Sequence, residues 1–190
     1  MKKRILTVML AASLAAASVP AIYNITDTKA VAEAAKKKKK APTIKKLHKA
    51  IAAQYGDDFV VNVALTKEEI KTRYGIAPSW YTDISAEVPM ISTNVDTLII
   101  AKSKNAASKK KIKNKLVQYR QSLIDDTMQY PMNVMKIQAS KVYVKGDYVF
   151  FIMLGFLDAE TEESDDEALM LKGYQELNQK AVTAINALFK

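Results

Sequence analysis

Tyr148-Val149-Phe150-Phe151-Ile152-Met153-Leu154 is the stretch that decides the fold. It is short, apolar throughout and rich in aromatic and β-branched residues, which reads as a central strand covered on both faces. Lys145-Gly146-Asp147 stands just before it, and before that runs Ile137 to Val144, also β-rich. A tight turn with Gly146 at positive φ joins the two runs into a hairpin. Val142 and Val144 then share one sheet face and Tyr143 takes the other. A further strand is expected over 94–102, where Asn94-Val95-Asp96-Thr97 alternates and Leu98-Ile99-Ile100-Ala101 turns apolar.

Helical signals surround these strands. Thr43 is placed to cap a helix over 44–55, in which Ile44, Leu47, Ile51 and Tyr55 recur at three and four residues and Gly56 is the stop. His48 falls near its polar side and reads as a solvated residue. Thr66-Lys67-Glu68-Glu69 is a capping box for a short helix ending at Tyr74, with Gly75 beyond it. Pro78-Ser79-Trp80-Tyr81 starts another helical turn. Ser108 is expected to cap a helix over 109–126 with the stripe Ile112, Leu116, Tyr119, Leu123 and Ile124. Its lysines 109–111 and its terminal Asp125 and Asp126 all oppose the helix dipole. An acidic loop spans 158–167. Ser164 and Glu167 are expected to cap a last helix over about 165–189 that covers a sheet face. The fold class is therefore α+β: a small antiparallel sheet, including the hairpin of the C-terminal half, packed against several helices.

At the other end of the chain, Lys2, Lys3 and Arg4 precede an apolar run from Ile5 to Ala17, and Val19-Pro20-Ala21 offers a small-residue cleavage site. This is the pattern of a signal peptide over 1–21, with a short N-terminal anchor as the alternative. The run is too short to span a bilayer as an ordinary helix. Residues 22–42 read as a flexible lysine-rich arm with five successive cations, Lys36, Lys37, Lys38, Lys39 and Lys40, and 43–190 as a single domain. The formal charge of +9 is concentrated in the N-terminal part, because residues 50–190 hold 17 basic and 18 acidic groups. The arm reads first as a solvated spacer; the contact it could otherwise make is with an anionic membrane surface or wall polymer, a protein partner is the further candidate, and nucleic acid is not expected after an export signal.

The 190 residues include no Cys and one His. That excludes disulfides, thiolate metal sites and a Cys nucleophile, and leaves little for a His-built metal centre or a Ser-His triad. No phosphate loop, dinucleotide fingerprint, zincin motif or nucleophile elbow occurs, so neither cofactor nor metal is expected. Two linkers carry the remaining polar chemistry. One runs from Glu87 to Thr97 and the other from Asp126 to Asn133, each with a Pro-Met step. If they meet at one sheet edge, Glu87, Met90, Asp96, Asp126, Gln129, Tyr130, Met132 and Asn133 line a binding cleft. Met and Tyr suit an irregular apolar groove. Carboxylates at a defined separation suit acid–base work. The duller account is that these groups bond the backbone of partly buried linkers.

Glu87-Val88-Pro89-Met90-Ile91-Ser92-Thr93 with Val95-Asp96-Thr97 is similar to one signature of the DUF4358 family. Asp126 to Asn133 with Lys136-Ile137-Gln138-Ala139-Ser140 resembles a second, and Gly146 to Gly155 resembles the family's hairpin. The resemblance covers about Ile44 to Ile185. It implies a small exported or lipid-anchored envelope protein of Gram-positive anaerobes with no established activity, and so hands on no catalytic residue. The lipobox Cys of many such proteins is missing here, which favours a secreted state or one held at the outer face of the membrane or wall. Two function classes stay open. The first is a non-catalytic envelope module that binds a protein or polymer. The second is an acid–base hydrolase of an envelope polymer using Glu87, Asp96 or Asp126.

Overall fold

The apolar run at 148–154 lies at the heart of a five-stranded antiparallel sheet. In this computed structural model residues 41–190 are described, apart from Asp165. The signal segment and the lysine run of the arm lie outside the described residues. The strands are β1 (Val61–Ala64), β2 (Tyr81–Pro89), β3 (Thr97–Ser103), β4 (Lys141–Lys145) and β5 (Tyr148–Met153). Their order across the sheet is β1-β2-β3-β5-β4. The described helices are α1 (Ile44–Ala52), α2 (Lys67–Tyr74), α3 (Ala106–Asp125), α4 (Pro131–Ala139), α5 (Ala159–Glu162) and α6 (Glu167–Leu188).

Alternation along β3 and β5 builds two cores at once. Leu98, Ile100, Tyr148, Phe150 and Ile152 point to one face, where Leu47 and Ile51 of α1 and Ala181, Val182 and Ile185 of α6 cover them. Ile99, Ala101, Val149, Phe151 and Met153 point to the other, under Ile70 and Tyr74 of α2 and Ile112 and Leu116 of α3. Burying such a side chain contributes about 1.5–3 kcal/mol each, so these two strands dominate the sheet's stability. The hairpin follows the sequence reading: Lys145 pairs with Tyr148 across a two-residue turn in which Gly146 has φ 57°. Val142 and Val144 pack on the α3 side and Tyr143 on the α6 side.

The local caps also hold. Thr43 Oγ1 accepts from the Lys46 N–H at 3.2 Å. Thr66 and Glu69 bond reciprocally, the Glu69 Oε2 accepting from the Thr66 N–H at 2.8 Å. The segment after α2 makes its helical turn at Pro78–Trp80.

Several expectations need correcting. The helix expected over 44–55 ends at Ala52 as α1, and a short 3-10 turn over Gly56–Asp58 follows Tyr55. Asn105, not Ser108, caps α3: its Oδ1 accepts from the Ser108 N–H at 2.8 Å, and Ser108 lies buried inside the first turn. Asp166, not Ser164, caps α6, accepting from the Leu169 N–H at 3.0 Å. Residues 131–139 form helix α4, so the β-rich run before the turn shrinks to β4. Pro131 at the first helical position supplies the start. β1 and β2 lack a sequence signal of their own. Register shifts between Val61 and Val63 and between Tyr81 and Asp83 break the alternation that would have revealed them. The first Pro-Met linker is thus strand up to Pro89, and only Met90 to Asp96 is loop.

Candidate functional site

Where the loop before β3 meets α4, four polar side chains are buried: Asp96, Asn133, Lys136 and Asn178. Asn94 shapes the loop, its Oδ1 accepting from the Asp96 N–H at 2.7 Å. That turn aims the Asp96 carboxylate inward. Oδ1 accepts from Lys136 Nζ at 2.5 Å, and Oδ2 accepts from the Gly155 N–H at 2.8 Å. Gly155 holds φ 91°, and a Cβ there would sit 3.0 Å from the Tyr55 ring, so only glycine brings this N–H to the carboxylate. The Lys136 ammonium lies 4.4 Å from the Phe156 ring centroid and 5.4 Å from that of Tyr174. The rings stabilise the cation where water cannot.

Neighbouring amides extend this seam. Asn133 Nδ2 donates to Thr93 O at 3.0 Å. Asn178 on α6 accepts from the Leu154 N–H at 3.1 Å and donates to Ala139 O at 3.0 Å. Tyr55 donates its hydroxyl to Leu177 O at 2.9 Å. Burial pushes the Asp96 carboxyl above its ordinary range, against the pull of the Lys136 ammonium and the Gly155 N–H. Burial raises the Tyr55 phenol as well and pushes that of Tyr174 up to about 12. The Lys136 and Asp96 side chains are only 5% and 0% exposed, so the pair fastens α4 to the loops before β3 and after β5. Neither group meets solvent.

Above the seam a groove of about 730 Å³ opens between α2, the C-terminal half of α3, and the 88–97 segment. Tyr74, Tyr119, Thr97 and Met153 line it. Glu69 and Arg73 form an ion pair of 3.8 Å in its wall. Tyr119 packs edge-on against both Tyr74 and Phe151, with ring centroids 4.7 and 5.3 Å away. Met90 and Ile91 line the groove and are 77% and 69% exposed.

The eight residues singled out in the sequence have different places. Met90, Asp96 and Gln129 line this groove, whereas the Pro131-Met132 step of the second segment does not. Asn133 and Asp96 belong to the buried seam. Tyr130 precedes α4 and is exposed. Met132 lines a separate cavity of about 360 Å³ with Met170 of α6. Asp126 sits beside a cavity of about 190 Å³ and accepts from the Met128 N–H and the Gln129 side chain, each at 2.9 Å. Glu87 faces α1, where its carboxylate holds His48 at 2.7 Å and Ser85 at 2.8 Å. His48 is therefore half-buried and partnered, with its ring edge-on to Phe59, and not a solvated surface residue.

Sequence reasoning missed Lys136, Asn178 and the Tyr55 hydroxyl. Lys136 carried a usable signal: it stands between Met135 and Ile137 and one helical turn from Asn133. A strand assignment beginning at Ile137 concealed it. Among the described residues no cluster of three or more His, Asp or Glu could hold a metal ion.

The model of the family described as Domain of unknown function (DUF4358) matches residues 56–154, just over half the chain. No curated protein and no solved structure matches.

Proposed function

The chain belongs to the DUF4358 family, and from that premise we propose that it is an exported, non-catalytic cell-envelope module. It holds part of a protein or polymer partner in the groove beside Met90. The observation that carries this reading is the groove itself, an open apolar-floored channel with two large flexible side chains, Met90 and Ile91, standing in solvent at its edge. Exposed Met and Ile on one loop have no folding benefit, whereas adaptable apolar side chains suit contact with a partner. The three carboxylates considered for acid–base work have separate occupations: Glu87 on His48, Asp96 on Lys136, Asp126 on a turn N–H. That weighs for binding over hydrolysis. The pattern of residues 1–21 and the lysines of 36–40 support placement at the envelope.

The test is expression of the full chain in a Gram-positive host, followed by fractionation and binding to isolated envelopes. The protein is expected outside the cytoplasm. Met90→Asp with Ile91→Asp is expected to weaken envelope binding by about tenfold or more while the fold survives, since burying a carboxylate against apolar surface is unfavourable. Retention in the cytoplasm, or unchanged binding by the double variant, overturns the reading.

A further inference from the structure

Helix α3 carries its charges where helix physics disfavours them. Its first turn holds no acid and its last turn no base. Lys109 stands in the first turn with Lys110, Lys111 and Lys113 just beyond it, while Asp125 stands at the negative end. Residues 100–120 contain eight cations, Lys102, Lys104, Lys109, Lys110, Lys111, Lys113, Lys115 and Arg120, and no carboxylate. The near balance of charge over the domain thus hides a strongly basic face.

Some of these cations are occupied: Lys102 lies over the Tyr148 ring at 5.8 Å, and Arg120 donates to Ser140 O at 2.8 Å and Gln138 O at 2.5 Å. Lys109 reaches Asp147 at 3.7 Å and Gly146 O at 2.8 Å. Among the described residues no carboxylate pairs with Lys104, Lys110, Lys111 or Lys113, and all four are exposed. Lys111 lies over the half-buried Trp80 ring, 5.5 Å from its centroid. Val117, on the outer side of the same helix, is 46% exposed. None of the cavities described above includes these lysines.

We propose that the lysine face of α3, with Trp80 at its margin, docks on an anionic phospholipid bilayer. Cations spread around the outside of a helix form a convex surface, which no single bound phosphate can satisfy but a plane of headgroups can. Lysine attraction to such a plane is additive and diffuse. Trp at the edge, and an apolar Val among the cations, match the amphipathic boundary between headgroups and acyl chains. This contact is separate from the groove, and it adds a second basic surface to the one expected of the arm.

Co-sedimentation of the full chain with vesicles of equal parts phosphatidylglycerol and phosphatidylcholine tests it, with pure phosphatidylcholine as the neutral comparison. Lys110→Gln, Lys111→Gln and Lys113→Gln together are expected to lower partitioning onto the anionic vesicles about a hundredfold. Lys141→Gln, Lys172→Gln and Lys180→Gln remove the same charge elsewhere and are expected to change it by about twofold or less. The α3 variant is expected to melt close to the parent, because all three side chains are exposed and none pairs with a carboxylate among the described residues; a lower melting temperature would assign these lysines to folding. Equal losses in the two triple variants, equal binding to neutral vesicles, or loss of binding only when Lys36 to Lys40 are replaced by Gln would overturn the proposal. Tighter binding to duplex DNA than to anionic vesicles would overturn it too, and would reassign the face to nucleic acid.

Discussion

The β3–β5 core and the Asp96–Lys136 seam are equally dry, yet they are held by opposite physics. In the core, Ile99, Ile100, Phe150 and Phe151 are fully buried and interchangeable in kind: each contributes area and shape. In the seam each buried group needs a named partner, and removing one strands the other. The difference teaches that burial alone does not report what stabilises a region. A core tolerates the exchange of one apolar side chain for another of similar volume, while a seam tolerates a change of volume better than the loss of one bond.

The largest expected effect compares the two directly. Lys136→Ala leaves the Asp96 carboxylate buried and unpaired and is expected to lose about 3–5 kcal/mol, close to the loss of about 3–5 kcal/mol expected for Phe150→Ala. The two regions separate on repair. Asp96→Asn with Lys136→Met removes both charges yet keeps an acceptor for the Gly155 N–H, and is expected to recover most of the stability lost in Lys136→Ala. Urea unfolding of the three variants checks this, and a double variant no more stable than Lys136→Ala breaks the contrast.

An intermediate effect is expected in alkali, which attacks the polar tips of the packed aromatics. Burial raises the phenols of Tyr55, Tyr74 and Tyr119, and that of Tyr174 to about 12. The fold therefore keeps these protons after the unfolded chain has released them. Stability is expected to be full below about pH 10 and to fall as pH rises further toward the folded values. Thermal melts across that range should show the fall, and Tyr174→Phe should lessen its slope; an unchanged slope would mean that this phenol ionises alike in both states.

The smallest effect comes from a bond exposed to water. Thr66→Ala removes one half of the α2 capping box and is expected to destabilise by about 1 kcal/mol. The Thr66 N–H and hydroxyl hold the Glu69 carboxyl below its ordinary range. That contribution is present above the ordinary glutamate range and is lost as pH falls through the folded value. The gap between Thr66→Ala and the parent should accordingly narrow in acid, as measured by urea midpoints. A gap that stays constant would place the cap's benefit in the neutral hydroxyl alone.

How far the sequence could be read follows the same division. β5, the hairpin turn at Gly146 and the caps at Thr43 and Thr66 were legible, because each is written in neighbours within a few residues. β2 was not, since an irregular register and mixed Asp, Ser and Glu erase its period. The Pro-Met segments drew notice through composition; Met90 and Gln129 line one groove, but Met132 lines another cavity, Glu87 faces α1 and Asp126 closes a turn. Lys136 escaped because a strand assignment from Ile137 cut it off from Asn133 and Met135, its neighbours on one helix.

The sequence by itself determined which segments are strands covered on both sides, where several helices begin, and that charge is unevenly spread, because periodicity, capping and charge act over one or two turns of chain. Only the tertiary structure decided that Asp96 meets Lys136, forty residues away, and that Met90 and Gln129 share one groove. It also left Lys110, Lys111 and Lys113 exposed on the outside of α3, with no carboxylate paired to them among the described residues. Such pairings depend on where the sheet brings distant loops together, and a buried charge acquires its partner only when that assembly excludes the water that served it before.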